Sequence, residues 1–337
     1  MFNSIDSKRI PLYFCIFIVI MVLNTLGKKF SDSQNRLKSK DEYELIRKYL
    51  LNDSSFGDNK PKLWVHSKYN NHAGVWKSKL PSPSELEHPY IDLIVKTIVD
   101  HCHDDFNICL IDDDSFSKLI PNWVHNINTL PDPHKTYCRE FGMATLLYIY
   151  GGIIVPNSFL CFKSLKSVYE KGISNSKPFV GEFVNHKEIL FSNNKRESFI
   201  PDTKFIGAKK GDIVINQLVE YYNEKINKHF SSESEFQGQI NAHLSKLVKF
   251  DRVNLVDGKH IGTKNLKNKP IILDDLMDDN ILPIQITDCL GIYIPHDELM
   301  RRTKHQWLTI STTSEVLKSK TAISRFLNAS LDSAIKK

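Results

Sequence analysis

Three short stretches hold the side chains best suited to chemistry. Asp112-Asp113-Asp114 follows directly on the apolar run Phe106 to Ile111. Asn157 and Ser158 follow Pro156, which closes the apolar run Ile153-Ile154-Val155. A late basic run, Arg301-Arg302-Thr303-Lys304-His305-Gln306-Trp307, ends in a His-x-Trp pair. Polar side chains just past the carboxyl end of a strand border the ligand crevice of an open α/β sheet. Carboxylates there can hold a hard divalent cation. Guanidinium and ammonium groups suit a diphosphate. Each stretch also has a plainer reading. An aspartate of the triplet caps a short helix from Phe116 to Ile120, and the basic run is a solvated turn with a packed Trp. The motifs of serine and zinc hydrolases, Gly-x-Ser-x-Gly and His-Glu-x-x-His, are absent.

The surrounding pattern supplies elements to place these residues. Tyr137, Phe141, Ala144, Thr145 and Tyr148 repeat at the spacing of one helix face. Asp132 and Pro133 fit an N-cap and a first-turn proline. Gly151 and Gly152 stop that helix, because glycine tolerates the positive φ of a C-terminal cap. Ile153-Ile154-Val155 is then a buried strand, and Pro156, lacking an N–H, ends it. Upstream, Lys62 to His66 predicts a strand, Pro89 to Cys102 a helix with Ile91, Ile94, Val95, Ile98 and Val99 on one face, and Phe106 to Ile111 a second strand. Strand, helix, strand and acidic turn open a βαβ unit. The expected fold is α/β, with a mostly parallel central sheet flanked by helices.

The central stretch resembles the sugar-binding, DXD-containing glycosyltransferases of the GT-A fold, related to initiation mannosyltransferases and capsular polysaccharide transferases. Leu147, Tyr148, Tyr150, Gly151, Gly152 and Ile153 match that family's phrase before its Asp-x-Asp. The family's acidic helix residue is Glu140, its following arginine is Met143, and its Asp-x-Asp becomes Pro156-Asn157-Ser158. Pro61 to His66 resembles the family's first strand, so His66 either faces the donor or is a structural strand-end histidine. The resemblance also implies an acidic turn near the nucleotide, at Asp112 and Asp113, and a late donor-side His and Trp, at His305 and Trp307. It covers residues 61 to 160 well. The phrase Ile149 to Pro156 and the Lys-, Asn- and Ile-rich composition are similar to proteins of large DNA viruses.

The resemblance implies a glycosyltransferase-like activity. A UDP- or GDP-sugar would be the donor, and a glycan, lipid or protein the acceptor. In the family Asp-x-Asp holds Mn²⁺ or Mg²⁺; Asn157 and Ser158 offer only neutral oxygens, which weakens cation binding. Three outcomes follow. Arg301, Arg302, Lys304 or His305 carries the charge instead; the carboxylates of Asp112 to Asp114 are recruited; or the protein binds sugar or a partner without catalysis, as a membrane-tethered binding protein on the same fold.

The whole chain sets further bounds. Its 337 residues carry 45 Lys and Arg against 39 Asp and Glu, net charge +6, without the clustered basic stripe of a nucleic-acid binder. Residues 10 to 26 are apolar and uncharged, just long enough for an uncleaved membrane anchor, the alternative being a cleaved signal peptide, for which the run is long and no small-x-small site follows closely. The basic residues that follow it would keep the remainder in the cytosol, whereas the resemblance favours an ER- or Golgi-type lumen. The expected organisation is an anchor at 1–27 and a stem at 28–60. A transferase-like domain at 61–310 follows, with a nucleotide-sugar half at 61–160 and an acceptor half at 161–310. An amphipathic helix at 311–337 would pack on the domain or lie on a membrane. Within the acceptor half, helices are expected at Phe162 to Gly172, Asp212 to Tyr222 and 233–249, and strands at Pro178 to Asn185 and Phe205 to Ala208. Short edge strands are expected at Pro270 to Leu273, 281–284 and Gly291 to Ile294. Glu182 and Asp202 are read as solvated or capping acids. Sequons occur at Asn52 and Asn328, and the cysteines past the anchor are read as core thiols.

Overall fold

The computed structural model describes residues 60–66, 88–185, 198–226, 233–279, 282, 284 and 288–335. They fall in one unit, Asp58–Lys337. The anchor, the stem up to residue 59, the Asn52 sequon and residues 281 and 283 of an expected edge strand lie outside the described residues.

Strand β1 (Lys62–His66) leads, beyond an undescribed stretch, to helix α1 (Pro89–Cys102), strand β2 (Asn107–Ile111) and helix α2 (Ser115–Leu119). Helix α3 (His134–Tyr150) is followed by strands β3 (Gly152–Ile154) and β4 (Phe159–Cys161), helix α4 (Lys166–Gly172), and strands β5 (Phe179–Val184) and β6 (Phe199–Ala208). Next come helices α5 (Ile213–Ile226) and α6 (Glu233–Lys249), strand β7 (Asn254–Val256), helix α7 (Leu273–Met277) and strand β8 (Gly291–Tyr293). Helices α8 (His296–Arg301), α9 (Trp307–Ile310), α10 (Thr313–Lys318) and α11 (Ala322–Ile335) close the chain.

The main sheet has the order β2-β1-β3-β6-β5-β7. Strands β2, β1 and β3 are parallel, β6 runs antiparallel to both β3 and β5, and β7 is parallel to β5. Only β6 therefore runs against the rest, and the fold is α/β with a mostly parallel sheet. Leu63, Trp64 and Val65 of β1 are all buried, as a parallel strand covered on both faces requires. One core joins β1, β3, β5 and β6 through Leu63, Ile153, Phe179 and Phe205. A second packs Tyr90, Ile91 and Ile94 of α1 against Leu273, Ile292, Leu308, Val316, Ile323 and Leu327. Both cores draw on residues from either side of position 160.

The turn between α3 and β3 is set by sterics. Gly151 has φ +69° and Gly152 φ +105°, values that glycine adopts without a Cβ penalty. A Cβ on Gly152 would stand 2.1 Å from the Lys62 carbonyl oxygen of neighbouring β1. The Trp64 indole N–H donates to the Gly151 carbonyl at 2.9 Å, locking the turn to β1. Beyond β3 the Val155 amide still bonds the Trp64 carbonyl, and a tight turn from Pro156 to Phe159 leads into β4.

Several expectations change. Asp132 does not cap α3; the carbonyls of Pro131 and Pro133 take the amides of Lys135 and Tyr137 instead. The helix expected from Phe162 begins only at Lys166, and Phe159 to Cys161 is a strand paired with Gly291 to Tyr293. That pairing joins segments distant in sequence, which local periodicity does not report. Pro270 to Leu273 forms only a bridge, at Pro270, before α7 begins. Asp202 is buried in β6 rather than solvated, while Glu182 accepts the Gly258 amide and pairs with Lys264. The C-terminal segment is two helices, separated where the Thr321 hydroxyl accepts the Ser324 amide and so starts a new helix. Val316, Ile323 and Leu327 pack on the domain core. The Asn328 sequon lies inside α11, its amide bonded to Leu317 and its Ser330 buried. Cys102, Cys109, Cys138, Cys161 and Cys289 are free and buried.

Candidate functional site

A cavity of about 220 Å³ lies where the carboxyl ends of β1 and β3 meet one face of α3. From α3 it takes Thr136, Arg139, Glu140, Met143 and Ala144, spaced i, i+3, i+4, i+7 and i+8, the repeat of a single helix face. His66 enters from the end of β1, and Ile154 to Ser158 from the end of β3. Thr203, Lys204 and Ile206 face it from β6; Tyr293, His296 and Asp297 close it from the end of β8 and the start of α8.

Two linked sets of charges form its walls. Arg139 grips Asp113 with both ends of its guanidinium, Nε to Oδ1 at 2.7 Å and Nη2 to Oδ2 at 2.6 Å. His66 Nε2 meets the same Oδ1 at 3.1 Å, and its ring stacks on Phe116. Burial disfavours the Asp113 charge, but the hydrogen bonds from Arg139 and His66 outweigh it and hold the carboxyl well below the usual aspartate range. In the second set Tyr222 donates to Glu140 Oε2 at 3.1 Å and contacts Thr203 Oγ1 at 3.0 Å. With its amide nitrogen turned to the carboxylate, Gln237 donates to Glu140 Oε1 at 2.7 Å. The Glu140 carboxylate is thereby fixed in orientation. Burial, then the Glu140 charge, push the Tyr222 hydroxyl pKa well up, so it stays a donor.

Lys204 bonds Asp202 Oδ2 at 2.8 Å, and Asp202 Oδ1 also takes the Lys204 amide at 2.9 Å. Burial works against the lysine charge, but Asp202 overrides it and raises the pKa above the ordinary lysine value. At the far wall the Tyr90 hydroxyl bonds His296 Nδ1.

The residues read from the sequence divide as follows. His66, Glu140, Asn157 and Ser158 line the cavity together. Asp113 lies behind that wall, spent on Arg139 and His66. Asp112 serves the plainer role, accepting the Ser115 amide at 2.9 Å and its hydroxyl at 2.6 Å at the start of α2. Asp114 takes the Asn128 amide at 2.8 Å. Gly151 and Gly152 shape the turn and do not line the cavity. Nor do His305 and Trp307. His305 Nε2 contacts Asp274 Oδ1 at 3.0 Å, where Arg302 and Lys304 also converge, so that basic turn is spent on its own acid.

Arg139, Thr203, Lys204, Tyr293, His296 and Asp297 escaped sequence reasoning. Two signals could have found some of them. The i, i+3, i+4 stripe from Thr136 crosses Arg139 and Glu140. His296 and Asp297 follow a strand and a proline just as Asn157 does. Lys204 had no local signal, because the first half of β6 does not read as a strand.

The Pro156–Ser158 corner and the acidic turn do not fit a divalent cation. Asn157 and Ser158 are neutral, Asp113 is bound to a guanidinium, and no group of three or more His, Cys, Asp and Glu able to hold a metal occurs among the described residues.

No protein-family model matches the chain, and no curated protein matches it. Among solved structures it is similar to the PaToxG glycosyltransferase, at 11% identity over 64% of this chain and 82% of that one, with a TM-score of 0.29. It is also similar to the galactosyltransferase LgtC in complex with donor and acceptor sugar analogues, at 10% identity over 80% of this chain and 95% of that one, with a TM-score of 0.38. Likenesses this distant assign no residue a role; that rests on the cavity.

Proposed function

We propose that the cavity binds a nucleotide-sugar, a UDP- or GDP-sugar, and that the protein transfers its glycosyl group to a hydroxyl of a glycan, lipid or protein acceptor. One observation carries this reading. His66, Glu140 and the Pro156–Ser158 corner, distant in sequence and singled out by one resemblance, line a single cavity at the carboxyl ends of parallel strands. In such a transfer the bond from the anomeric carbon to the diphosphate breaks, a bond to the acceptor oxygen forms, and the acceptor proton passes to a base. On this reading Glu140, held by Tyr222 and Gln237, accepts from a sugar hydroxyl, and Asn157 accepts from or donates to another. Asp297 is the second carboxylate of the lining.

Incubating the full-length protein with a panel of UDP- and GDP-sugars tests this. Release of the nucleoside diphosphate, quickened by an acceptor sugar, is the expected result. The loss of both family carboxylates at Pro156 and Ser158 favours a second reading, a binding protein without turnover; donor binding without nucleotide release would select it. No binding of any donor contradicts both. Residues 10 to 26 are proposed to tether the protein to a membrane, so it should stay in the pellet after alkaline carbonate extraction; release would refute the tether.

A further inference from the structure

We propose that Lys204, rather than a divalent cation, supplies the positive charge opposite the diphosphate of the donor; this rests on the cavity being a nucleotide-sugar site. The register of the sheet makes the case. Strands β3 and β6 pair antiparallel with Ile154 opposite Ile206. That pairing ends at Ile154; two residues beyond it on each chain stand Pro156 and Lys204, and next to them Asn157 and Thr203. All four residues line the cavity. Pro156 is the position from which the first carboxylate of the acidic pair is missing. Where that carboxylate would have held a cation, the facing strand brings a cation of its own.

The local chemistry suits the task. The side chain of Asp202, which anchors the lysine at 2.8 Å, is only 5% exposed, whereas that of the lysine is 38% exposed. Lys204 lines the cavity and Asp202 does not. An ammonium has three donors; Asp202 takes one, leaving two for phosphate oxygens. The Phe183 ring beneath it, 5.8 Å from Nζ to the centroid, adds a second anchor. The other cation of the lining, Arg139, is committed through two nitrogens to Asp113. The acidic triplet offers no alternative metal ligands, since each aspartate has a protein partner. A preorganised fixed charge can stabilise a developing diphosphate as a metal does.

Calorimetric titration of the full-length protein with UDP and GDP, and with uridine and guanosine, separates the possibilities. A nucleoside diphosphate should bind equally well with EDTA, Mg²⁺ or Mn²⁺. Lys204→Met should weaken it at least tenfold while leaving the matching nucleoside unchanged, and Lys204→Arg should restore most of the loss. Because Lys204→Met strands a buried carboxylate, the paired variant Asp202→Asn/Lys204→Met is measured beside it, with circular dichroism to confirm folding. Diphosphate binding lost in EDTA and restored by Mn²⁺ overturns the proposal, as does wild-type affinity in a folded variant lacking Lys204. If wild-type protein binds neither diphosphates nor nucleosides, the nucleotide-sugar reading itself falls, and the proposal with it. If it binds nucleosides and diphosphates equally, the site survives and Lys204 has no role.

Discussion

The corner at Pro156–Ser158 and the basic turn at Arg301–Trp307 both read as chemistry in the sequence, yet they end differently. The corner lines the cavity. The turn folds onto Asp274, which receives Arg302, Lys304 and His305. The difference is one of constraint. Two glycines at positive φ, Gly152 wedged against β1 and Gly151 against the backbone of Lys209 and Lys210, dictate where the chain goes after α3. Nothing comparable fixes a run of long, flexible cations, and they satisfy the nearest acid. Backbone geometry marked the cavity wall here; charge density did not.

The largest effect is expected at the glycine turn. Gly152→Ala puts a Cβ against the Lys62 carbonyl at a φ that alanine disfavours, so we expect a loss of about 3 to 4 kcal/mol of stability by urea denaturation. Wild-type stability would show that β1 and β3 are not locked as described. Next in size is Asp113→Asn, which leaves the Arg139 guanidinium partly buried without its carboxylate and should cost about 3 kcal/mol. This contribution depends on pH in a defined sense. The folded carboxyl titrates below its unfolded value, so its stabilisation is complete above the ordinary aspartate pKa of about 3.9 and drains away as pH falls below it. The gap between wild type and Asp113→Asn should therefore be flat at neutral pH and close in acid; a gap independent of pH would contradict the ion pair.

Glu140→Gln keeps a group that can bond Tyr222 but removes the charge. The domain should melt normally while nucleotide-sugar affinity falls about tenfold, the worth of one charged hydrogen bond of roughly 1.5 kcal/mol. Unchanged affinity removes Glu140 from the site. The smallest effect belongs to the turn. Asp274→Ala removes a carboxylate that is itself nearly half exposed, so we expect at most about 1 kcal/mol and no change in ligand affinity. A loss of binding would reinstate the turn as part of the site.

The first half of the fold was legible because it is built locally. The apolar face of α1, the run before Asp112 and the Gly151-Gly152 stop each announce themselves within a few residues. The cavity wall on β6 was not. The stretch Phe199 to Lys204 carries a proline, an aspartate and a lysine, and it becomes a strand only by pairing with β5 across 14 or more intervening positions. Strand β4 hid for the same reason, since Phe159 to Cys161 finds its partner more than 120 residues later. Four of the proposed donor-side residues, His66, Glu140, Asn157 and Ser158, meet because they follow or face strand ends. Lys204 enters through pairing alone.

The most direct measurement is a crystal structure of the full-length protein soaked with UDP or GDP. The diphosphate is expected in the cavity between the Pro156–Ser158 corner and Lys204, with Glu140 on the sugar side. A nucleotide seated instead at the Arg301–Trp307 turn, or a cavity that stays empty at saturating nucleotide, would contradict it.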